Sequence, residues 1–154
     1  MSSREGKALR LGLLTTAQIN DEIINGAART ELVSIVGAAS RDPARAEAYA
    51  LEHGLERSWG SYDELLGDPD VEAIYVALPN ALHVEWSIRA LEAGKHVLCE
   101  KPLDRRPAEV ERAFDAADTA GRILMEAFMY RHNPQTRRLA VSYTHLTLPT
   151  ILLV

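Results

Sequence analysis

The 154-residue sequence lacks features that several classes of protein require. It has a single cysteine, Cys99, which excludes an intrachain disulfide framework and a zinc site built from several cysteines. No apolar run approaches the roughly 18 residues of a membrane span. The opening MSSREGKALR has no apolar signal core. We therefore expect a cytoplasmic protein without a membrane partner.

An excess of basic residues is also missing. The 17 Lys and Arg residues are outnumbered by 22 Asp and Glu residues, so the formal net charge is −5 at pH 7. Because nucleic-acid-binding proteins usually present a basic face, this balance argues against a nucleic-acid partner. Apolar residues make up 47% of the chain and charged residues 25%, as in a globular domain with its own core.

Short apolar runs alternate with longer segments of helical period, which is typical of stacked βαβ units. The runs 9–14, 32–39, 73–78, 97–99 and 123–129 predict strands one, two, four, five and six, and no run is assigned to strand three. The pattern predicts an α/β fold, a doubly wound parallel sheet of six strands (Rossmann type). Such a sheet has right-handed crossovers and most often takes the order 3-2-1-4-5-6.

The segments between these runs carry helix signals. Asp42-Pro43 and the capping-box pattern Ser61–Glu64 predict helix starts, and Gly54, Gly94 and Gly121 predict helix ends. Three helices are expected to bury one apolar face each. The predicted inward residues are Ile19, Ile23, Ile24 and Ala27 in the first, Val84, Ile88 and Leu91 in the second, and Val110, Phe114 and Ala117 in the third.

The last fourteen residues, 141–154, do not fit this pattern. Residues 141–150 can be read back as GTC TCT TAT ACA CAT CTG ACG CTG CCG ACG, which resembles a transposase adapter used for sequencing libraries. We expect a dinucleotide-binding domain over 8–140, followed by a non-native tail. A genuine apolar tail is the alternative, and continuous genomic sequence across this junction would favour it.

The turn after the first strand is where a dinucleotide's pyrophosphate would bind, at the start of the next helix. Here the turn is Thr15-Thr16-Ala17-Gln18-Ile19-Asn20, with no glycine at any of the three fingerprint positions. Small residues keep the turn plausible, and the threonine hydroxyls could donate to phosphate oxygens. We predict cofactor contacts from Thr15, Thr16, Ala17 and Ile19; a turn without a ligand is the alternative.

The end of the second strand indicates which cofactor is preferred. NAD-binding folds place Asp or Glu here to accept from the ribose hydroxyls. This chain has Ser40-Arg41, with Arg45 one turn into the next helix. Because a guanidinium forms forked bonds to a phosphate, the pattern favours NADP over NAD. The alternative is two solvated arginines at a helix start.

Polar residues follow the fourth and sixth strands too. Leu78-Pro79-Asn80 turns the chain into a helix that Asn80 could cap, with His83 in its first turn. We predict that Leu78, Pro79 and Asn80 contact the cofactor. His83 is predicted either to present a polar group to the cofactor or substrate or to pack at the helix end. After strand six, Tyr130 and Arg131 could line the pocket.

The run His96-Val97-Leu98-Cys99-Glu100-Lys101-Pro102 ends a strand abruptly in a carboxylate, an ammonium and a proline. The carboxyl ends of strands in an open α/β sheet are where ligands bind. Lys101 is therefore expected to face a crevice; an ordinary surface lysine is the alternative. Cys99, inside the apolar part, is expected to be a small buried hydrophobe and not a reactive thiol.

The combination of segments resembles the N-terminal domain of the Gfo/Idh/MocA oxidoreductases (glucose–fructose oxidoreductase, inositol dehydrogenase, MocA). The segments are ASRDPARAEAYA, GSYDELLGDPDVEAIYVALPNALH, ALEAGKHVLCEKPL and MEAFMYRHNPQ. Within the family, Ser40-Arg41 and Met125-Glu126-Ala127 look most like NADP-dependent D-xylose dehydrogenases and dimeric dihydrodiol dehydrogenases.

The resemblance implies hydride transfer between a sugar, polyol or dihydrodiol and a nicotinamide cofactor. Lys101 matches the family's catalytic lysine, whose ammonium can stabilise a developing alkoxide or move its proton. Glu100 and Pro102 would hold its loop, and Glu100 and Lys101 would also contact the cofactor. The glycine-free turn is a departure from the family pattern. A following domain, which supplies the second catalytic residue and usually the subunit interface, has no counterpart here.

We therefore expect the parent protein to be a homo-oligomer and this chain to be inactive by itself. Two alternatives are a non-catalytic cofactor-binding sensor of the same family and, more distantly, an unrelated Rossmann reductase. Glu100-Lys101-Pro102 favours the enzyme over the sensor.

Overall fold

Six parallel strands form a single sheet in the order β3-β2-β1-β4-β5-β6, which confirms the predicted order. A computed structural model describes residues 7–136, 138, 139 and 141; the predicted tail lies outside them except for its first residue. The strands are β1 (Leu9–Leu13), β2 (Val33–Ala39), β3 (Arg57–Trp59), β4 (Ala73–Val76), β5 (His96–Cys99) and β6 (Leu124–Glu126).

Five α-helices connect consecutive strands within the described residues. They are α1 (Asn20–Ala27), α2 (Pro43–His53), α3 (Tyr62–Gly67), α4 (His83–Glu92) and α5 (Pro107–Ala120). Asp42 caps α2 by accepting from the N–H groups of Ala44 and Arg45, and Ser61 caps α3 by accepting from Glu64. Gly54 and Gly121 adopt the left-handed conformation that ends α2 and α5, as their positions predict.

The sheet separates two apolar layers, because successive side chains of a strand point to opposite faces. Leu11, Leu13 and Tyr75 pack on one face with Ile23 of α1 and Tyr49 of α2. The other face carries the larger core, which includes side chains of α3, α4 and α5. Along β4, β5 and β6, the first face is covered less completely than the second: Met125 is 39% exposed.

Several predicted boundaries change. The sequence did not single out β3. Strand four was expected to reach Leu78, but β4 ends at Val76, which pairs with Cys99, the last residue of β5. Strand six was expected over 123–129. The observed strand spans only Leu124–Glu126, because Glu126 pairs with Cys99, the residue at which the neighbouring strand β5 ends.

Three helix predictions are also corrected. Ile19 was expected to face the core from the first helix, but it precedes α1 and is 40% exposed. Phe114 was expected to face the core, yet it is 42% exposed, because Ala113 and Ala117 occupy the inward positions of α5. Asn80 was expected to cap a helix. It instead begins a short 3₁₀ turn, Asn80–Leu82, and makes no side-chain capping bond to α4.

Among the described residues, no helix combines the length and the apolar character needed to cross a bilayer.

Candidate functional site: a groove at the carboxyl edge of the sheet

A groove opens where the strand order reverses, between the carboxyl ends of β1 and β4. This is the position at which doubly wound sheets bind their ligands. The groove has a volume of about 440 Å³ and brings together most of the residues predicted for the cofactor. Its lining comprises Thr15, Thr16, Ala17, Ser40, Arg41, Arg45, Tyr62, Ala77, Leu78, Pro79, Leu82 and Trp86.

The β1–α1 turn forms one wall of the groove. The Thr15 hydroxyl accepts from the N–H of Ala17 at 3.2 Å and lies 3.4 Å from the carbonyl oxygen of Ala77, so it connects the turn to the chain after β4. Within the described part of the chain, the N–H groups of Thr16, Gln18 and Ile19 have no hydrogen-bond partner. Such open N–H groups at the start of a helix suit an anion.

The arginines after β2 form the opposite wall. Arg41 and Arg45 are exposed, and their guanidinium groups make no ion pair with any described residue. Arg57 differs, since Asp68 and Asp70 each hold it at 2.7 Å. The Ser40 hydroxyl accepts from the N–H of Asp42 at 3.1 Å, which leaves its proton available. The wall thus presents two unpaired cations and a donor hydroxyl.

Two aromatic side chains complete the groove, and the sequence did not predict them. Tyr62 of α3 and Trp86 of α4 meet edge to face with ring centroids 5.0 Å apart. Arg89 stacks 3.9 Å from the Trp86 ring and pairs with Asp63, which fixes the indole in place. Their sequence signal is weak, because an aromatic residue in an amphipathic helix is usually a core residue.

The predicted catalytic loop follows β5. Lys101 is exposed, and its backbone N–H donates to Oε2 of Glu100 at 3.1 Å. The hydroxyl of Tyr75, a β4 residue, donates to Oε1 of the same carboxylate at 2.6 Å. Burial raises the pKa of this tyrosine, and the carboxylate adds to the effect. Glu100 therefore ties the loop to the sheet, as the family resemblance implies.

His83 has a structural position. It is 1% exposed, and its ring nitrogens lie 2.7 Å from the Leu78 carbonyl oxygen and 2.8 Å from that of Pro102. Both ring nitrogens contact backbone carbonyls of the protein, as in the packing alternative, and the predicted contact with a cofactor or substrate stays a prediction. The histidine joins the loop after β4 to the loop after β5.

Besides His83 and Lys101, four predicted residues lie apart from the groove lining. Ile19 and Glu100 border a second, mainly apolar cavity of about 510 Å³ next to β6. Asn80 borders a third cavity, of about 530 Å³, together with Arg105 and Arg106. Arg131 is exposed in the 3₁₀ turn Met129–His132.

Cys99 is fully buried at the end of β5, and burial raises the pKa of its thiol to about 12. The prediction of a small buried hydrophobe is confirmed. In the described residues, no group of three or more His, Cys, Asp and Glu side chains could hold a metal ion.

Comparisons with known proteins agree with this architecture. A family model described as "Oxidoreductase family, NAD-binding Rossmann fold" (GFO_IDH_MocA) matches residues 11–128. A 3-ketoreductase from Actinomadura kijaniata, solved with TDP-benzene and NADP, superimposes with a TM-score of 0.81 at 38% identity. The match covers 91% of this chain and 44% of the ketoreductase.

Two characterised relatives are dehydrogenases. The NADP(+)-dependent D-xylose 1-dehydrogenase 2 of Haloferax volcanii is 44% identical over 132 residues, which is 86% of this chain and 41% of the relative. The trans-1,2-dihydrobenzene-1,2-diol dehydrogenase of Xenopus laevis is 35% identical over 129 residues, which is 82% of this chain and 39% of the relative. The chain thus spans about two fifths of the length of these relatives.

Proposed function

Because this chain belongs to the Gfo/Idh/MocA oxidoreductase family, we propose that it is the NADP-binding domain of a dehydrogenase acting on a sugar, polyol or diol. The observation that carries the proposal is the presence of two guanidinium groups, Arg41 and Arg45, in the groove at the strand-order reversal, neither of which pairs with a described carboxylate. The two residues after β2 are Ser40 and Arg41, where NAD-binding folds place Asp or Glu, and the carboxylate of Asp42, which follows, caps α2.

The groove fits the parts of NADP in a definite order. Arg41, Arg45 and the Ser40 hydroxyl would hold the 2′-phosphate through charge-assisted bonds. The open N–H groups of Thr16 and Gln18 would receive the pyrophosphate. The planar groups of the cofactor would lie against the apolar side chains of Leu78 and Pro79 and against the Tyr62–Trp86 pair.

Lys101 is the proposed catalytic residue. When bound, the cofactor supplies the hydride acceptor or donor. The Lys101 ammonium would hydrogen-bond the reacting oxygen of the substrate and stabilise its developing negative charge. Its exposed position beyond β5 supports this role, because the side chain is not taken up by the fold. We propose further that the whole protein is a cytoplasmic homo-oligomer.

A titration of this chain with NADP⁺ and NAD⁺ tests the cofactor proposal. We expect tighter binding of NADP⁺. Arg41→Ala should weaken NADP⁺ binding by roughly ten- to a hundredfold, since charged hydrogen bonds contribute about 1.5–3 kcal/mol each, and should leave NAD⁺ binding nearly unchanged. Arg29→Ala, another exposed arginine, is the matched control. Equal affinity for both cofactors, or an unaltered preference in Arg41→Ala, would contradict the proposal.

Activity is tested separately. We expect no turnover by the 154-residue chain on aldoses or cyclic polyols. In a longer protein that carries this domain, Lys101→Ala should lower kcat by at least about a hundredfold while the Kd for NADP⁺ stays within about twofold. Turnover by the short chain, or an unchanged kcat in the variant, would refute this assignment.

A further inference from the structure

We infer that Asn20 is a positioning residue of the cofactor site, whose side-chain amide holds the β1–α1 turn in the shape that receives the pyrophosphate. The inference rests on the proposed function, because it concerns how this chain holds NADP. Asn20 occupies the third glycine position of the dinucleotide fingerprint and is 0% exposed. A fully buried amide where the fingerprint has glycine needs a reason, because burying an amide without hydrogen bonds is costly.

The amide spans the turn. Its Nδ2 donates to the backbone carbonyl of Thr15 at 2.7 Å, and the Asn20 N–H donates to the carbonyl of Ala17 at 3.0 Å. The Thr15 hydroxyl accepts from Ala17 in the same turn. No described non-glycine residue has a positive φ. The turn therefore needs no glycine conformation, and two polar side chains fix its path.

This arrangement leaves the outer N–H groups of the turn open. The amide of Asn20 takes up the inward-facing carbonyl of Thr15, whereas the N–H groups of Thr16, Gln18 and Ile19 stay without partners in the described residues. Loss of the amide would release the carbonyl and let the turn relax. The open N–H groups would then no longer be preorganised for a phosphate, which weakens its binding.

The same side chain lies beside the helix that carries Arg45. Burial raises the pKa of the Tyr49 hydroxyl on α2, and the adjacent Asn20 side chain acts in the opposite direction. The two groups nevertheless make no hydrogen bond of ordinary geometry: Oδ1 of Asn20 and the Tyr49 hydroxyl are both buried and have no partner among the residues that the structure describes. Asn20 thus stands between the turn and α2, the two segments proposed to bind phosphate.

The test compares a ligand that reaches the turn with one that does not. NADP⁺ contains the pyrophosphate, whereas 2′-AMP has only the phosphate assigned to Arg41 and Arg45. Asn20→Asp keeps the side-chain shape but removes the donor to Thr15, and Asn20→Gly restores the fingerprint glycine without an amide. Asn25→Asp adds the same charge at an exposed position of α1 and serves as the control.

We expect both Asn20 variants to bind NADP⁺ roughly three- to tenfold more weakly than the wild type, the range for one lost hydrogen bond. Their Kd for 2′-AMP should stay within about twofold, and Asn25→Asp should match the wild type for both ligands. Circular dichroism identifies folded variants, and Asn20→Gly carries the comparison if the aspartate variant does not fold.

Three results would overturn the inference. Unchanged NADP⁺ affinity in both folded variants would show that the amide does not act on the turn. A parallel loss of NADP⁺ and 2′-AMP would show that Asn20 supports only the fold. In both cases the proposed function would stand, because the wild type binds the cofactor. If the wild type does not bind NADP⁺, both the proposed function and this inference are wrong.

Discussion

The hydroxyl of Tyr75 lies 2.6 Å from Oε1 of Glu100, and this contact fixes the loop of Lys101 to the centre of the sheet. Tyr75 is fully buried in β4, and the second oxygen of Glu100 accepts from the N–H of Lys101. A buried residue on one strand thus sets the backbone position of an exposed residue after the next strand.

Tyr75→Phe should lower the free energy of unfolding by about 1–3 kcal/mol. The change removes the hydroxyl that donates to the Glu100 carboxylate, and a hydrogen bond to a charged group contributes about 1.5–3 kcal/mol to stability. Urea unfolding measures the effect. Tyr130→Phe removes the hydroxyl of an exposed tyrosine and should change stability by less than about 0.5 kcal/mol. Equal stabilities of the two variants would contradict the role given to the Tyr75–Glu100 contact.

Gly37→Ala should be strongly destabilising. A Cβ at this β2 position would overlap the backbone carbonyl of Arg57 in β3 and press on the Trp59 ring. Because backbone atoms of a paired strand cannot move aside freely, we expect a loss of at least about 3 kcal/mol or no folded protein.

Gly26→Ala is the matched control for Gly37→Ala. A Cβ at this position of α1 would meet no atom within 4 Å. Since alanine favours a helix over glycine, the variant should be as stable as the wild type or up to about 1 kcal/mol more stable. Thermal and urea unfolding of both variants measure the difference, and a mild effect at Gly37 would show that β2 and β3 are less closely packed.

The Cys99 thiol should make stability depend on alkaline pH. Its pKa is about 9 when free and about 12 when buried in the fold. Between these values the unfolded chain loses the proton and the folded chain keeps it, so the free energy of unfolding falls as the pH rises from about 9.

Cys99→Ala isolates this contribution. The difference in unfolding free energy between wild type and variant should shrink steadily above pH 9 and be constant between pH 6 and 8. The native thiol should also resist alkylation at pH 8, because a buried, protonated sulfur is a poor nucleophile. Rapid alkylation without unfolding, or a difference that does not vary with pH, would show that the thiol is accessible.

The apolar cavity beside β6 should bind hydrophobic probes. It has a volume of about 510 Å³, and Ile19, Met125 and Met129 on its border are 40%, 39% and 69% exposed. Contiguous exposed apolar surface binds dyes and promotes association. We expect the wild type to enhance the fluorescence of anilinonaphthalene sulfonate and to self-associate with rising concentration.

Met125→Glu should reduce both dye fluorescence and association, since it places a charge in the cavity wall. Leu51→Glu also introduces a charge at an exposed apolar residue, 78% exposed on α2, but away from the cavity, and should have little effect. Sedimentation velocity measures association. If both variants changed dye fluorescence and association to the same extent, the cavity would not be the surface that binds the dye and drives association.

The sequence by itself determined the architecture, because strand period, caps and glycine positions are local signals. Asp42, Ser61, Gly54 and Gly121 all act as their positions predict. The residues at the ends of β1, β2 and β4 met in one groove because parallel strands bring their carboxyl ends to one edge. The lengths of β4 and β6 could not be predicted from local signals, because the hydrogen-bonded pairing of a strand ends where its neighbouring strand ends.

Only the tertiary structure decided which side chains line the groove and which polar groups face the protein. From the sequence, His83 could face the cofactor or pack at the helix end, and Asn20 has no predicted role. In the structure both are buried, with side-chain nitrogens 2.7–2.8 Å from backbone carbonyl oxygens. Tyr62 and Trp86 line the groove and the buried Tyr75 holds Glu100, although no sequence pattern assigned these three residues a role. The reason is physical: a hydrogen bond between residues distant in sequence depends on how the strands and loops pack, and no local period encodes it.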